Sequence, residues 1–311
     1  MLPNTVNLLE RFQQRDERAL ARAISLLEAG DSQAQSLLQR LRQQQQQPAR
    51  IIGITGSPGS GKSTLTDRII AIARAQQRRV AVIAVDPTSP FSGGAILGDR
   101  IRMTRWHQDP DVYIRSMATR GHLGGLAAAS LQICVLLEAY GFDDIIIETV
   151  GVGQSEVDIV QVADSTVLVL TPGQGDGVQA FKAGIMEIAD VFAINKFDHP
   201  GGQRLKREIQ AALDLGHGRQ EHWYPPIQGT IATTDEGCAE LYQHIAEHHA
   251  SLQQAGLLET RRHARARFEV SALLSGHLRR QLEQRGSSFI DEILRGAITP
   301  SEAVKALLQS L

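Results

Sequence analysis

The segment GSPGSGKST is the part of the sequence best suited to hold phosphate groups. It occupies positions 56–64 and directly follows an apolar run at positions 51–54, which is typical of a buried strand. Glycines let the main chain curl so that successive N–H groups point at phosphate oxygens, while Lys62 supplies a cation beside the reacting phosphate and Ser63 offers a hydroxyl to Mg²⁺. We therefore expect nucleotide contacts from the whole loop, which comprises Gly56, Ser57, Pro58, Gly59, Ser60, Gly61, Lys62, Ser63 and Thr64.

A second polar segment indicates which base the nucleotide carries. Asn195, Lys196, Phe197 and Asp198 follow the apolar run at 191–194, at a strand end where α/β folds place their ligands. The carboxylate of Asp198 can accept both the ring N–H and the exocyclic amine of guanine, whereas adenine presents no such pair of donors. The same four residues could instead form a polar turn capped by the aspartate, so the prediction of a guanine site depends on the phosphate loop upstream. Together the two motifs favour GTP over ATP.

Three carboxylates lie where a nucleotide's metal ion is expected. Asp86 ends the second strand-like run, Asp99 follows a glycine-rich stretch, and Glu148 ends the fourth run, where aspartate is commoner. Carboxylate oxygens near phosphates suit Mg²⁺, although Asp86 and Asp99 could also be helix caps. Gly151 is placed to sense the γ-phosphate through its N–H, and Gln154 to orient the attacking water. The alternative for Gln154 is a polar loop side chain.

Apolar runs alternate with helical patterns along the middle of the chain. This alternation predicts an α/β fold, a mostly parallel P-loop NTPase sheet with helices on both faces. The predicted strands lie at 51–55, 80–85, 112–114, 145–149, 167–170, 191–194 and, more weakly, 226–230. The carboxyl ends of such strands meet at one edge of the sheet, so this arrangement would bring the three groups of polar residues together.

Helical patterns without strands flank this region and predict an extension at each end. Leu20, Ile24 and Leu27 form one apolar stripe and a second stripe lies at 37–41, which predicts two helices before a polar connector. The glutamine run at 43–47 either belongs to that connector or lengthens the second helix. We therefore divide the chain into an N-terminal helical extension at 1–47, a nucleotide-binding domain at 48–255 and a C-terminal arm at 256–311.

The predicted arm has two helices. Val270, Leu274, Leu278 and Leu282 recur every four positions, and Gly286 is expected to break that pattern. A last helix is predicted from Thr299, with Pro300 at its first position, Glu302 completing a capping box and an apolar stripe through Val304, Leu307, Leu308 and Leu311. We expect these stripes to contact a second subunit, with packing inside one chain as the alternative.

Composition excludes several classes of protein. The 311 residues are 42% hydrophobic and 21% charged with a net charge of −2, so a nucleic-acid footprint is not expected. Charges interrupt the apolar positions near the N-terminus and no apolar run reaches membrane-spanning length, which favours a cytoplasmic protein without membrane association. Cys134 and Cys238 offer neither a disulfide framework nor paired ligand spacing, and both are expected to be buried or incidental thiols.

Taken together, the motifs resemble those of the MeaB/ArgK family of P-loop GTPases. The resemblance covers about residues 15–285 and is carried by GSPGSGKST, DPTSPFSGGAILGDRIRM, RGHLGGLA, ETVGVGQSE, PGQGDGVQAFKAGIMEIAD and NKFD. It implies a homodimeric G-protein chaperone that binds GTP or GDP with Mg²⁺ and assists an adenosylcobalamin-dependent methylmalonyl-CoA mutase in cofactor loading and protection. It also implies that Ser63, Asp86, Asp99 and Glu148 serve Mg²⁺, and that Lys182 lies on a switch that couples the mutase to GTP hydrolysis.

Two segments depart from the family pattern. Relatives tend to carry Thr-Ser-Ala behind the guanine, where this chain has Thr230, Ile231 and Ala232. A main-chain contact to the base is retained there, but a hydroxyl is lost. The segment GDGV at 175–178 is also less bulky and less acidic than expected for a switch that contacts the partner.

Two other functions remain open from sequence. A nickel-delivery GTPase is suggested by ten histidines, of which His244 and His248 share a helix face, although a solvated face is the expected state of that helix. An ATP-dependent kinase acting on a transport protein would transfer phosphate to protein instead of water.

Overall fold

The core of the protein is a seven-stranded parallel sheet. A computed structural model describes residues 3–44, 48–86, 103–118, 125–149, 155–173, 185–215 and 222–309. The strands, in the spatial order β3-β2-β4-β1-β5-β6-β7, confirm the predicted fold class. Their bounds are β1 Arg50–Thr55, β2 Val80–Asp86, β3 Val112–Ala118, β4 Asp144–Thr149, β5 Ser165–Leu170, β6 Val191–Asn195 and β7 Ile227–Thr230.

Strand β1 occupies the centre of the sheet. Ile54 is in register with Glu148 of β4 on one side and with Val167 of β5 on the other. Chain connections run outward in opposite directions from this strand, so a crevice opens beyond its carboxyl end. The phosphate loop leaves β1 at that point.

Helices cover both faces of the sheet. The described α-helices are α1 Pro3–Gln13, α2 Glu17–Glu28, α3 Ser32–Gln43, α4 Lys62–Ala75, α5 Gly125–Tyr140, α6 Ser155–Val162, α7 Gly202–Asp214, α8 Cys238–Gln254, α9 Leu257–Leu294 and α10 Pro300–Gln309. Helices α4 and α8 pack on one face, where Leu65, Ile69 and Leu241 contact the alternate strand residues Ile52 and Ile54. Because strand side chains alternate between faces, the neighbouring residues of β1 face the other helices.

The opposite face is covered by the N-terminal helices together with α5. Leu20, Ile24 and Leu37 are buried in one core with Ile51 and Ile145 of the sheet. Helix α7 covers β6 and β7 on the same face through a smaller core. The N-terminal helices are thus packed against the sheet.

The helical extensions differ from prediction in two respects. The N-terminal region has three helices and not two, since α1 precedes the predicted pair and buries Leu8 and Phe12. In the arm, α9 continues through Gly286 to Leu294, so the expected break was wrong. One glycine costs a helix only about 1 kcal/mol relative to alanine, and the many good helix formers around it outweigh that cost.

The last helix begins as its sequence indicates. The N–H of Thr299 donates to Oε2 of Glu302 at 2.7 Å, and the N–H of Glu302 donates to Oγ1 of Thr299 at 3.3 Å, which completes a capping box. Within the part of the chain that the structure describes, no helix combines the length and apolarity needed to cross a membrane.

Candidate nucleotide site

The phosphate loop follows a path that requires glycine. It joins β1 to α4, and Gly56, Gly59 and Gly61 have φ values of 142°, 78° and 88°. A Cβ on Gly56 would lie 2.1 Å from the carbonyl oxygen of Val169, so the main chain here passes directly against β5. The close approach and the left-handed backbone explain why glycines occupy these positions.

Lys62 spans the loop from the first turn of α4. Its Nζ donates to the carbonyl oxygens of Gly56 and Ser57 at 2.7 and 3.0 Å, and only 6% of the residue is exposed. The ammonium group is therefore held over the loop that would carry the phosphates.

A buried carboxylate lies next to the hydroxyl expected to meet Mg²⁺. Oε1 of Glu148 accepts from Oγ of Ser63 at 2.6 Å, and Oε2 accepts from Oγ1 of Thr66 at 2.8 Å. Glu148 is only 2% exposed, and Asp86 ends the neighbouring strand β2. A carboxylate behind a serine hydroxyl is an oxygen donor set that suits Mg²⁺, so the residues present fit this ion. Thr66 was not predicted, although its position one turn after Ser63 on the same helix is a usable signal.

Asn195 joins the phosphate loop to the segments that were predicted to contact the base. Its Nδ2 donates to the carbonyl oxygen of Ser60 at 2.8 Å. Its Oδ1 accepts from Oγ1 of Thr230 at 3.3 Å and from the N–H of Ala232 at 3.2 Å. The side chain is buried, and Asn195 is also in register with Thr230 across β6 and β7. Three segments far apart in sequence are thus fixed by one amide.

The rest of the tetrapeptide forms a tight turn beside the loop. Lys196 has a φ of 56°, and its Nζ donates to the carbonyl oxygen of Gly59 at 2.9 Å. The Phe197 ring lies so close to Gly229 that a Cβ there would approach it to 2.7 Å. Asp198 is exposed at the rim of the site. Residues 196–198 therefore form a turn that holds Lys196 against the phosphate loop.

The structure brings most of the predicted residues to one edge of the sheet. Residues 56–64, Asp86, Glu148, the tetrapeptide at 195–198 and residues 230–232 all lie at or just beyond the carboxyl ends of β1, β2, β4, β6 and β7. Four predicted positions lie outside the described residues: Asp99, Gly151, Gln154 and Lys182.

A separate buried cluster lies at the opposite edge of the sheet. His248 is fully buried, with Nδ1 2.7 Å from Oγ of Ser165 and Nε2 3.3 Å from the Asp190 carboxylate. The expectation of a solvated face was therefore wrong for His248, because α8 turns this face toward the sheet. Burial lowers the pKa of His248 to about 4, although Asp190 acts in the opposite direction. His244 is half-buried and lies 3.1 Å from Glu247.

Neither the cysteines nor the histidines form a metal centre among the residues described. No group of three His, Cys, Asp or Glu side chains in that part of the chain could hold a metal ion. Cys134 and Cys238 are free and buried, as expected, and burial raises the pKa of Cys238 to about 11.

Comparisons with known proteins agree with this geometry. Residues 20–287 match the model of a family described as methylmalonyl-CoA mutase-associated GTPase MeaB. A Pyrococcus horikoshii protein named as a GTPase is 47% identical over 98% of this chain and 97% of its own length. Mouse "Methylmalonic aciduria type A homolog, mitochondrial" is 34% identical over 94% of this chain and 75% of its own.

One solved structure also covers the whole fold. The crystal structure of an LAO/AO transport system kinase aligns with a TM-score of 0.72 over 99% of this chain and 98% of its own, at 23% identity. This likeness establishes the fold. The family match and the relatives above lead to one assignment: the chain belongs to the MeaB family of GTPases.

Proposed function

We propose that this protein binds GTP with Mg²⁺, hydrolyses it slowly, and assists an adenosylcobalamin-dependent methylmalonyl-CoA mutase. The observation that carries the nucleotide part is the Asn195 side chain, which joins the phosphate loop at Ser60 to the base-side residues Thr230 and Ala232. One preformed amide thus sets the distance between the two ends of the proposed nucleotide. Such preorganisation is what a site for a whole nucleoside triphosphate requires.

Each residue of the proposed site has a distinct task. The main chain of 56–61 binds the phosphates, Lys62 neutralises charge that develops on the transferred group, and the Asp198 carboxylate accepts from guanine. Lys196, which already contacts Gly59, keeps the base and phosphate ends in register. Thr230, Ile231 and Ala232 back the base. Gly151, Gln154 and Lys182 keep their proposed roles at the γ-phosphate, the attacking water and the switch.

The metal part of the proposal rests on the Ser63–Glu148 contact. Ser63 would bind Mg²⁺ through its hydroxyl, with Glu148, Asp86 and Asp99 around it. When bound, Mg²⁺ neutralises the charge of the β- and γ-phosphate oxygens. Glu148 meanwhile orients the Ser63 hydroxyl, because its other oxygen is fixed by Thr66.

Slow intrinsic turnover is part of the proposal. GTPases without an arginine finger hydrolyse GTP at rates on the order of 10⁻⁴ s⁻¹, and a partner can accelerate them about 10³-fold or more. The sequence marks no arginine for that role. We therefore assign the acceleration to the client protein.

The mutase is proposed as client because of the family to which the chain belongs. The family description names a methylmalonyl-CoA mutase, and the mouse relative is named after methylmalonic aciduria. A client of this kind would be held in one nucleotide state and released in the other, so that GTP hydrolysis times the loading and protection of its cofactor.

A homodimer is proposed from the apolar surface of the arm. Val270, Leu274 and Leu282 of α9 are 66%, 52% and 44% exposed, and Val304 and Leu308 of α10 are 53% and 48% exposed. These exposed fractions support contact with a second subunit over packing within one chain, which was the alternative. A second copy of the arm would remove this surface from water.

A tagged adenosylcobalamin-dependent mutase tests the client assignment. We expect it to retain this protein on a column in a nucleotide-dependent way, with a clear difference between GDP and a non-hydrolysable GTP analogue. We also expect the mutase to raise the GTP hydrolysis rate at least about tenfold. If the mutase does not bind in any nucleotide state while GTP hydrolysis is intact, the client assignment is wrong and the GTPase assignment is unaffected.

A further inference from the structure

Arg68 connects the helix after the phosphate loop to the segment that backs the base. It lies on α4, and its Nε donates to the carbonyl oxygen of Ala232 at 2.9 Å. A guanidinium nitrogen also lies 3.1 Å from the Asp235 carboxylate. The Arg68 side chain is 24% exposed, and Ala232 is only 3% exposed.

The peptide groups on both sides of Ala232 are thereby fixed. Its N–H donates to Oδ1 of Asn195, and Nδ2 of the same side chain donates to the carbonyl oxygen of Ser60. Its carbonyl oxygen accepts from Arg68, which is joined to the phosphate loop through α4. Ser60, Asn195, Ala232 and Arg68 thus form a closed ring that links the phosphate end of the site to the base end.

The two contacts of Arg68 differ in strength. Asp235 is 59% exposed, and an ion pair in contact with water contributes little. A charged donor on a buried carbonyl oxygen is stronger, and its loss leaves that oxygen unsatisfied. The contact that matters for the site is therefore the one to Ala232.

We propose that Arg68 is a positioning residue for guanine selection, acting through the main chain of Ala232. This inference rests on the proposed GTP site. Ile231 provides no hydroxyl beside the base and the Thr230 hydroxyl donates to Asn195, so contacts of this segment to the base would fall on its main chain. A contact made by main chain depends on where the backbone lies, and Arg68 and Asn195 together set that position.

The test is a titration of Arg68→Ala with fluorescent GDP and ADP. We expect the GDP affinity to fall about tenfold while the ADP affinity stays within about twofold, so that the GDP-to-ADP preference falls about tenfold. The single-turnover rate at saturating GTP should stay within about twofold, because the phosphate loop is unchanged. Arg68→Lys, which can still donate to Ala232, should recover part of the preference.

Two further variants serve as controls. Arg74→Ala removes another ion-paired arginine of α4. Arg74 is 20% exposed and contacts Asp109 and Asp111, which are not part of the site. This variant should keep the wild-type preference for GDP over ADP. Asp235→Asn breaks the exposed ion pair and should change the preference less than twofold. If Arg68→Ala unfolds, Arg68→Met, which keeps the stem and lacks the donor, decides the same question.

The outcomes separate this inference from the proposed function. A wild-type protein without preference for GDP over ADP overturns the proposed function, and this inference with it. If the wild type prefers GDP over ADP and a folded Arg68→Ala or Arg68→Met variant has the same preference, only the role of Arg68 is overturned. An Asp235→Asn variant as impaired as Arg68→Ala would overturn the path through Ala232.

Discussion

Gly61 and Asn195 are in such close contact that a side chain cannot be added at Gly61 unless Asn195 moves. A Cβ on Gly61 would lie 2.3 Å from Nδ2 of Asn195, the same nitrogen that donates to the carbonyl oxygen of Ser60. The fixed glycine of the phosphate loop is thus required by the base-side segment as well as by its own φ of 88°. The two motifs, whose residues Ser60 and Asn195 are 135 positions apart, form one structural unit.

Gly61→Ala should damage this unit more than an alanine in left-handed backbone does by itself. We expect it to lower the free energy of unfolding by about 1–3 kcal/mol beyond the effect of the backbone, because the Asn195–Ser60 bond must break. GTP binding should weaken strongly. Gly30→Ala is the matched control, since Gly30 has a φ of 70° but nothing within 4 Å of its Cβ position. Urea unfolding of both variants compares their free energies of unfolding, and an equal decrease in the two would contradict the prediction.

Lys62→Ala should abolish productive hydrolysis while leaving the fold intact. The variant removes the ammonium group that now bridges Gly56 and Ser57. We expect the single-turnover rate at saturating GTP to fall at least about 100-fold, as is usual when one preorganised charge contact is removed. Lys206→Ala on α7 is the control and should hydrolyse GTP normally. A Lys62→Ala variant with a near-normal rate would end the catalytic assignment.

Asp198→Asn should change base preference and not the chemical step. An amide cannot accept from both donors of guanine, so GTP affinity should fall about 10- to 100-fold. Xanthine carries an oxygen in place of the exocyclic amine, and the variant should bind xanthosine nucleotides relatively better. Competition titrations measure both effects, with His199→Ala in the same turn as control. Unchanged selectivity for GTP over ATP would exclude a base-reading role for Asp198.

Much of the fold could be predicted because its signals are local. All seven strands were expected from short apolar runs, and the loop at 56–64 was expected from glycine and lysine spacing. The glycines mark a tight main-chain path that few other residues can follow. Tertiary contacts could not be predicted in this way. Asn195 bridges Ser60 and Ala232 only because strands that are distant in sequence become neighbours in the sheet.

The two errors have different physical origins. Gly286 was expected to end a helix, but the surrounding helix formers outweigh one glycine, and α9 continues to Leu294. His248 was expected in a solvated face because histidine is polar, yet it is buried with Ser165 and Asp190 as partners. Periodicity places a residue on a helix face, and only the packed sheet decides which faces are buried.

Leu274→Asp should separate the two subunits of the proposed dimer. The wild type should elute with twice the 33.9 kDa mass of one chain. A charge on the exposed apolar face of α9 cannot be buried against a second copy without a large penalty. Leu215→Asp is the control, because Leu215 is 82% exposed on a different part of the surface. Light scattering after size exclusion gives the masses, and a monomeric wild type would contradict the dimer.

His248 should make the protein lose stability as the solution becomes mildly acidic. Its pKa is near 6.5 when unfolded and, because of burial, about 4 when folded, so between these values the unfolded state binds the extra proton. The stabilisation is complete above pH 6.5 and declines toward pH 4, by about 2 kcal/mol at pH 5. Burial raises the pKa values of Asp190 and Asp144, but His248 and Arg261 lower that of Asp190, and Arg78 and Arg50 lower that of Asp144. Both carboxylates therefore respond only below about pH 4. Urea unfolding at pH 7 and pH 5 measures this loss. Between these pH values the free energy of unfolding should fall less for His248→Gln than for the wild type or for the control His244→Gln. Equal falls in all three proteins would refute the assignment.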